Sequence, residues 1–203
     1  MKTACIVQAR MGSKRLPGKM MMLLNNEPVI RHVLRRCKVI PGIDTVVCAI
    51  PQEGASKDLA KESMKLCVGV YLGSEKDVLD RYYHAALSVK ADIIVRVTGD
   101  CPLIDPGICG NVLELLKTSG LDYASNVMPR GYPKGFDCQA FTFHALERTH
   151  KEAKRKYDRE HVCPCMQRNL RTANLPGPGG GKKRLCLDTP EDYENLKLIF
   201  ERS

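Results

Sequence analysis

Two kinds of apolar pattern alternate along this chain. Short runs rich in Val, Ile, Ala and Cys cover Thr3 to Gln8, Asp44 to Ile50, Val68 to Tyr71 and Asp92 to Thr98. Runs of that length bounded by turn residues predict buried strands. Between them, apolar residues recur every three or four positions, the period of a helix with one buried face. Pro28 opens the first such segment, with Val29, Val33, Leu34 and Cys37 in its stripe. Ala55 to Leu66 follows, then Lys76 to Lys90, with Val78, Leu79, Tyr82, Ala86 and Val89 on one side, and then Pro106 to Ser119. Beyond these, Leu121 to Ser125 reads as extended, Phe136 to Phe143 as a strand, and two charged helices come next. A Pro/Gly-rich segment, Leu175 to Gly181, is expected to be mobile. Leu185 to Leu187 reads as a last short strand before a helix from Pro190 to Arg202.

Strands alternating with helices predict an α/β fold: three layers, with a mostly parallel, Rossmann-like sheet covered on both faces. A length of 203 residues suits one such domain over 1–203. In open sheets of this kind ligands bind beyond the C-terminal ends of the strands. That rule selects the loops after Gln8, Thr98 and Leu187.

Charge narrows the partner. The formal net charge is +9 and is unevenly spread: residues 1–38 carry +8 and residues 147–184 carry +7, so the remainder is acidic. Such concentration predicts an anionic partner, although Lys151 to Arg159 reads best as a solvated helix face. Nucleic acid is the weaker choice of anion. There are four Phe, seven Tyr and no Trp for stacking bases, and no binding motif is present. No run of 18 apolar residues occurs and the N-terminal apolar stretch is too short for a signal peptide, which predicts a protein off the membrane. Ten cysteines scattered through apolar runs read as reduced core residues, pointing to the cytoplasm.

The sharpest local chemistry lies after the first strand. Ala9-Arg10-Met11-Gly12-Ser13-Lys14-Arg15-Leu16-Pro17-Gly18-Lys19 combines two glycines with four cations. Backbone amides at glycines can approach phosphate oxygens while Lys and Arg neutralise charge; an ordinary basic turn has the same composition. The spacing is neither a Walker loop nor G-x-G-x-x-G. Asp100, in a turn stiffened by Pro102, is a type of ligand that suits Mg²⁺. Asp188 can serve likewise or can be a helix-entry residue before Thr189-Pro190.

The string Q-A-R-M-G-S-x-R-L-P-G-K from Gln8 resembles the opening of the sugar-acid cytidylyltransferases. Within them it is most similar to the spore coat polysaccharide biosynthesis protein F group, relatives of 3-deoxy-manno-octulosonate cytidylyltransferase. The resemblance continues through Gly73 to Tyr83, Arg96 to Ile104, Tyr132 to Asp137, Arg159 to Val162 and Leu187 to Tyr193, in family order. It implies transfer of CMP from CTP to a sugar acid with release of pyrophosphate, for cell-surface polysaccharide. Nucleotide contacts are implied for Ala9, Arg10, Met11, Gly12, Ser13, Arg15, Lys19, Arg81 and Asp100, with Arg10, Lys19 and Asp100 catalytic. It also implies Mg²⁺ on Asp100 and Asp188, and acceptor contacts from Arg96, Asn126, Lys134, Asp137 and His161. On the residues alone, Arg81 is equally a surface ion pair with Asp80, Arg96 can turn to Asp92, and His161 reads as an exposed or capping residue. A homodimer is implied, with Arg130 to Phe136 as an exchanged arm. The chain departs from the family pattern at Lys134, where an acid is expected, at Cys163-Pro164-Cys165 and at the turn Pro51 to Gly54. A phosphonate or another acceptor is the alternative within the class; a non-catalytic nucleotide- or nucleic-acid-binding protein is the alternative outside it.

Overall fold

The computed structural model describes residues 1–52, 56–179 and 183–202. Strand β1 (Thr3–Gln8) lies at the centre of the main sheet, bonded in parallel to β4 (Thr45–Pro51) on one side and β6 (Ile93–Thr98) on the other. The full order is β5 (Gly69–Gly73), β4, β1, β6, β8 (Gln139–Thr142), β7 (Tyr123–Ser125) and β9 (Thr172–Asn174). Only β8 runs against its neighbours, so the expected mostly parallel sheet is present. A two-strand ribbon, β2 (Leu23–Leu24) with β3 (Glu27–Pro28), stands apart.

Both faces of β1 are apolar, which is why its sequence shows no clean alternation. Cys5 and Val7 pack with α1 (Val29–Lys38), α2 (Lys57–Lys65) and α4 (Pro106–Ser119). Ala4 and Ile6 pack with α3 (Val78–Ser88), α5 (Phe143–Glu152) and residues 162–166. Helices α6 (Lys156–His161) and α7 (Pro164–Asn169) extend that second layer, and α8 (Pro190–Glu201) closes a small third cluster of Leu24, Val29, Leu187 and Leu196. The result is the expected three-layer α/β architecture. All ten cysteines are free thiols, nine of them buried; Cys67 is the exposed one. Among the described residues no helix is long and apolar enough to cross a membrane.

Several boundaries differ from the sequence reading. Helix α3 begins at Val78 because the Asp77 carboxylate caps it, accepting from the Asp80 amide. The strand expected over Phe136 to Phe143 shrinks to four residues: Thr142 caps α5, and Phe136 and Cys138 bond to the Asn126 side chain. Leu185 to Leu187 is not a strand. The segment makes single bonds to two different loops, Leu185 N–H to Lys134 O and Leu187 N–H to Asp100 O, and no ladder forms. Strand β9 and helix α7 were not foreseen, since each is too short to display a period. Of the segment expected to be mobile, residues 180–181 lie outside the described residues; Leu175 donates its amide to Ser125 O. Within Lys151 to Arg159, Arg159 is no solvated charge: its guanidinium binds Asp77 and the carbonyl of His150. Glu53 and Gly54 of the departing turn also lie outside the described residues.

Candidate active site

The chain passes from β1 outward to β4 and β5, then returns to place β6 on the other side of β1. The order of the strands thus reverses between β1 and β6, where a crevice forms at their C-terminal ends. Gln8 pairs with Thr98 in register, and the Gly99 amide donates to Gln8 O at 2.8 Å. A side chain at Gly99 would stand 3.0 Å from Ala9 Cβ and 3.1 Å from Gln8 O. Glycine there lets the turn carrying Asp100 press directly on the start of the basic loop.

That loop folds on itself. Met11 O accepts from the amides of Ser13 and Gly18, and Ser13 Oγ accepts from the amide of Leu16. Among the described residues, the amides of Met11, Gly12, Lys14 and Arg15 find no protein acceptor. Arg10, Lys14 and Arg15 have exposed side chains. Amides without partners beside unburied cations are what a polyphosphate requires.

Lys19 ends the loop and turns inward, with only 6% of its surface exposed. Its Nζ donates to Asp100 Oδ2 at 2.7 Å, Asp188 Oδ1 at 2.8 Å and Leu187 O at 2.7 Å, which uses all three ammonium hydrogens. Burial alone would lower its pKa; the two aspartates outweigh that and raise it. Asp188 also meets Arg184 at 2.7 Å and Arg15 at 3.2 Å, with Lys134 at 4.0 Å. Burial would push its carboxyl up, but Lys19, Arg184 and Arg15 together hold it well below the usual carboxylate range. Asp188 is more than a helix-entry residue: capping of α8 belongs to Thr189 and Asp192, which bond reciprocally. Two carboxylates from loops 88 residues apart therefore converge on a single cationic atom. Their oxygens are the hard donors a magnesium-like dication prefers, so the donor set fits a divalent metal.

The remaining predicted residues divide. Arg81 is buried and does not pair with Asp80; it donates from Nη1 to Ser74 O at 2.6 Å. Burial lowers its pKa, and the charge of Arg10 acts in the same direction. Arg96 turns away from Asp92, donating to Gln139 Oε1 at 2.5 Å and Gln8 Oε1 at 2.9 Å, while its buried Nε has no partner. Asn126 is buried and holds Phe136 O and Cys138 N–H, so it shapes the turn that presents Asp137. Asp137 forms a two-bond pair with Arg130. Lys134 reaches the cluster through Asp188, and Gly135 beside it has φ +113 with Leu185 O 2.6 Å from where a Cβ would be. His161 does not join these residues: it is exposed, with its ring 4.4 Å from Tyr157. Cys163 and Cys165 bond separately to Gln139 and Asn169 and form no metal pair.

Arg184 and Arg130 were missed. Arg184 locks Asp188 to Asp192, both through its guanidinium. The sole hint in the sequence was its place four residues before Asp188, which has no meaning in an irregular segment.

Comparison with known proteins agrees with this geometry. The family pattern described as cytidylyltransferase matches residues 4–201. The spore coat polysaccharide biosynthesis protein SpsF of Bacillus subtilis (strain 168) is 29% identical, over 98% of this chain and 86% of its own length. A cytidylyltransferase structure from Leptospira borgpetersenii serovar Hardjo-bovis (strain JB197) superposes with a TM-score of 0.95 at 34% identity, covering 100% of this chain and 88% of that one. A CMP:2-keto-3-deoxy-manno-octonic acid synthetase solved with CTP shares the fold, with a TM-score of 0.76 at 19% identity over 100% of this chain and 99% of that one. A match running nearly end to end, on a chain whose basic loop and paired aspartates meet at the sheet's switch point, places this protein in the cytidylyltransferase family, as a CTP-dependent nucleotidyltransferase.

Proposed function

We propose that this chain, as a single nucleotidyltransferase domain, transfers CMP from CTP to a sugar acid of the nonulosonate or 3-deoxy-octulosonate type, for cell-surface polysaccharide. The observation that carries the reading is the convergence of Lys19, Asp100 and Asp188 beside the basic loop. A hydroxyl oxygen of the acceptor bonds to the α-phosphorus of CTP, the bond to the β-phosphate oxygen breaks, and pyrophosphate leaves; the hydroxyl proton passes to solvent. Such transfer depends on positioning and charge neutralisation more than on a covalent group. Arg10 and Arg15, with the loop amides and Ser13, hold the triphosphate. Lys19 stabilises charge on the leaving pyrophosphate and keeps the aspartates oriented until substrate arrives. Asp100 and Asp188 are the residues to hold Mg²⁺, which supplies neutralisation of phosphate charge and a lowered pKa for the attacking hydroxyl.

Lys134, Arg184 and Arg130 border the acceptor side, a cationic group suited to a carboxylate. They suit a phosphonate as well, which makes phosphonates the second acceptor class to test. Arg81 and Arg96 serve as supports, Arg81 for the turn at Ser74 and Arg96 for Gln8 and Gln139. Asn126 and Asp137 shape the acceptor turn. The ten free thiols favour a cytoplasmic enzyme, and the Arg130 to Phe136 segment is the arm for a homodimer.

The test is pyrophosphate release with each of four NTPs, Mg²⁺ and a panel of sugar acids and phosphonates, with Asp100→Ala as control. Release specific to CTP, dependent on acceptor and absent in the control, is the expected outcome. No release with any acceptor, together with salt-sensitive binding of nucleic acid, would overturn the reading.

A further inference from the structure

Away from the crevice, three polar side chains on the outer helical layer meet at one point. Asp80 and His84 lie four residues apart on α3 and therefore share a face. His150 reaches them from α5. Asp80 Oδ1 is 2.9 Å from His150 Nε2 and 3.5 Å from His84 Nε2, and all three ligand atoms lie within 4.8 Å of one another. Ligand atoms held at about 2.0–2.1 Å around a tetrahedral ion stand roughly 3.3 Å apart. Two of the three separations are close to that value and the third is within 4.8 Å, so small side-chain adjustments bring the three atoms to such vertices. A simple ion pair would need only one of the two histidines.

The orientation of these groups is built by their surroundings. The His150 ring stacks on Tyr83 at 4.3 Å and 9°, and Tyr83 meets the His84 ring edge-on at 5.1 Å. Arg159 donates to His150 O and, from the same guanidinium, to Asp77, the residue that caps α3. Arg81, next to Asp80 in sequence, points the other way into Ser74. The cluster is therefore separate from the two aspartates of the crevice, although helix α3 carries residues of both regions.

We propose that Asp80, His84 and His150 bind a borderline transition-metal dication such as Zn²⁺, stapling α3 to α5. Two imidazoles with one carboxylate select such an ion over Mg²⁺, which prefers oxygen donors alone. Three protein ligands leave one position for water. This site stands independently of the proposed acceptor.

The experiment uses the full chain with Cys67→Ser, so that the exposed thiol cannot compete, stripped with chelator and titrated with Co²⁺ in excess Mg²⁺. Visible absorption and the melting temperature are followed. One equivalent of Co²⁺ should bind with a ligand-field spectrum, raise the melting temperature and be displaced by Zn²⁺. His84→Ala and His150→Gln, the latter keeping bulk against Tyr83, should each weaken binding at least tenfold, while Asp100→Asn with Asp188→Asn leaves it intact. Circular dichroism checks that each variant is folded. No uptake by the parent chain, undiminished uptake by both histidine variants, or loss of uptake only in the aspartate variant would overturn the proposal.

Discussion

The two sides of the crevice are made differently. The proposed nucleotide side is eleven contiguous residues, Ala9 to Lys19, in which Arg10, Lys14 and Arg15 are exposed, Arg15 also meeting Asp188, and only Lys19 is buried between two aspartates. The proposed acceptor side is assembled from separate stretches near residues 126–137 and 184–188, and its cations are engaged: Arg130 with Asp137, and Arg184 with Asp188 and Asp192. A highly charged polyphosphate calls for unspent positive charge, whereas a smaller acceptor calls for shape, with charge held in pairs that can be rearranged. One side is therefore a matter of composition and the other of chain crossing.

Substitutions can break this contrast. Asp100→Asn, at the junction of both sides, should lower the rate of pyrophosphate release by about 10³-fold, since charge positioned at transferring phosphoryl groups carries most of the catalysis. Its melting temperature should stay near that of the parent; a rate within tenfold would remove Asp100 from the chemistry.

Next in size is a pair of glycine changes. Gly135→Ala places a Cβ 2.6 Å from the backbone of Leu185 at φ +113, and should cost about 2–4 kcal/mol in urea unfolding. Gly12→Ala meets only the end of the flexible Glu75 side chain, at 3.0 Å, and should cost less than about 0.5 kcal/mol. Equal losses would show that both sides are equally constrained.

A smaller effect is expected at Lys134. Lys134→Ala should raise the acceptor KM about tenfold, equivalent to about 1.4 kcal/mol, and leave the KM for CTP unchanged. An equal rise in both constants would mean that the two sides are not separable.

The smallest effect concerns pH. The Asp188 carboxyl titrates lower when folded than its unfolded value of about 3.9, so its ionised form favours the folded chain above that pH. The contribution fades as pH falls below about 4. Wild type should therefore lose urea stability more steeply than Asp188→Asn between about pH 4 and pH 2.5, by about 1 kcal/mol. A difference between the two proteins that is independent of pH would rule out this role for the ion cluster.

Much of this molecule was legible in advance. The strand Thr3–Gln8 and the helix Pro106–Ser119 lie where the apolar pattern puts them, because continuous apolar runs and a proline start with an αL glycine stop are local signals. The basic loop was readable for the same reason. Burial of Arg81 and the loss of a strand at Leu185 to Leu187 were not, since both depend on what comes alongside from elsewhere in the chain.

The sequence by itself determined the layered α/β architecture, the reduced cysteine core and the basic, glycine-containing composition of the loop after the first strand, all of which follow from periodicity and composition within short windows. Only the tertiary structure decided that Lys19 bridges Asp100 and Asp188, that Arg184 locks Asp188, and that His161 stays outside the cluster. Contacts between residues 81 and 169 positions apart are made by the packing of the sheet and its crossing loops. No local pattern encodes that packing.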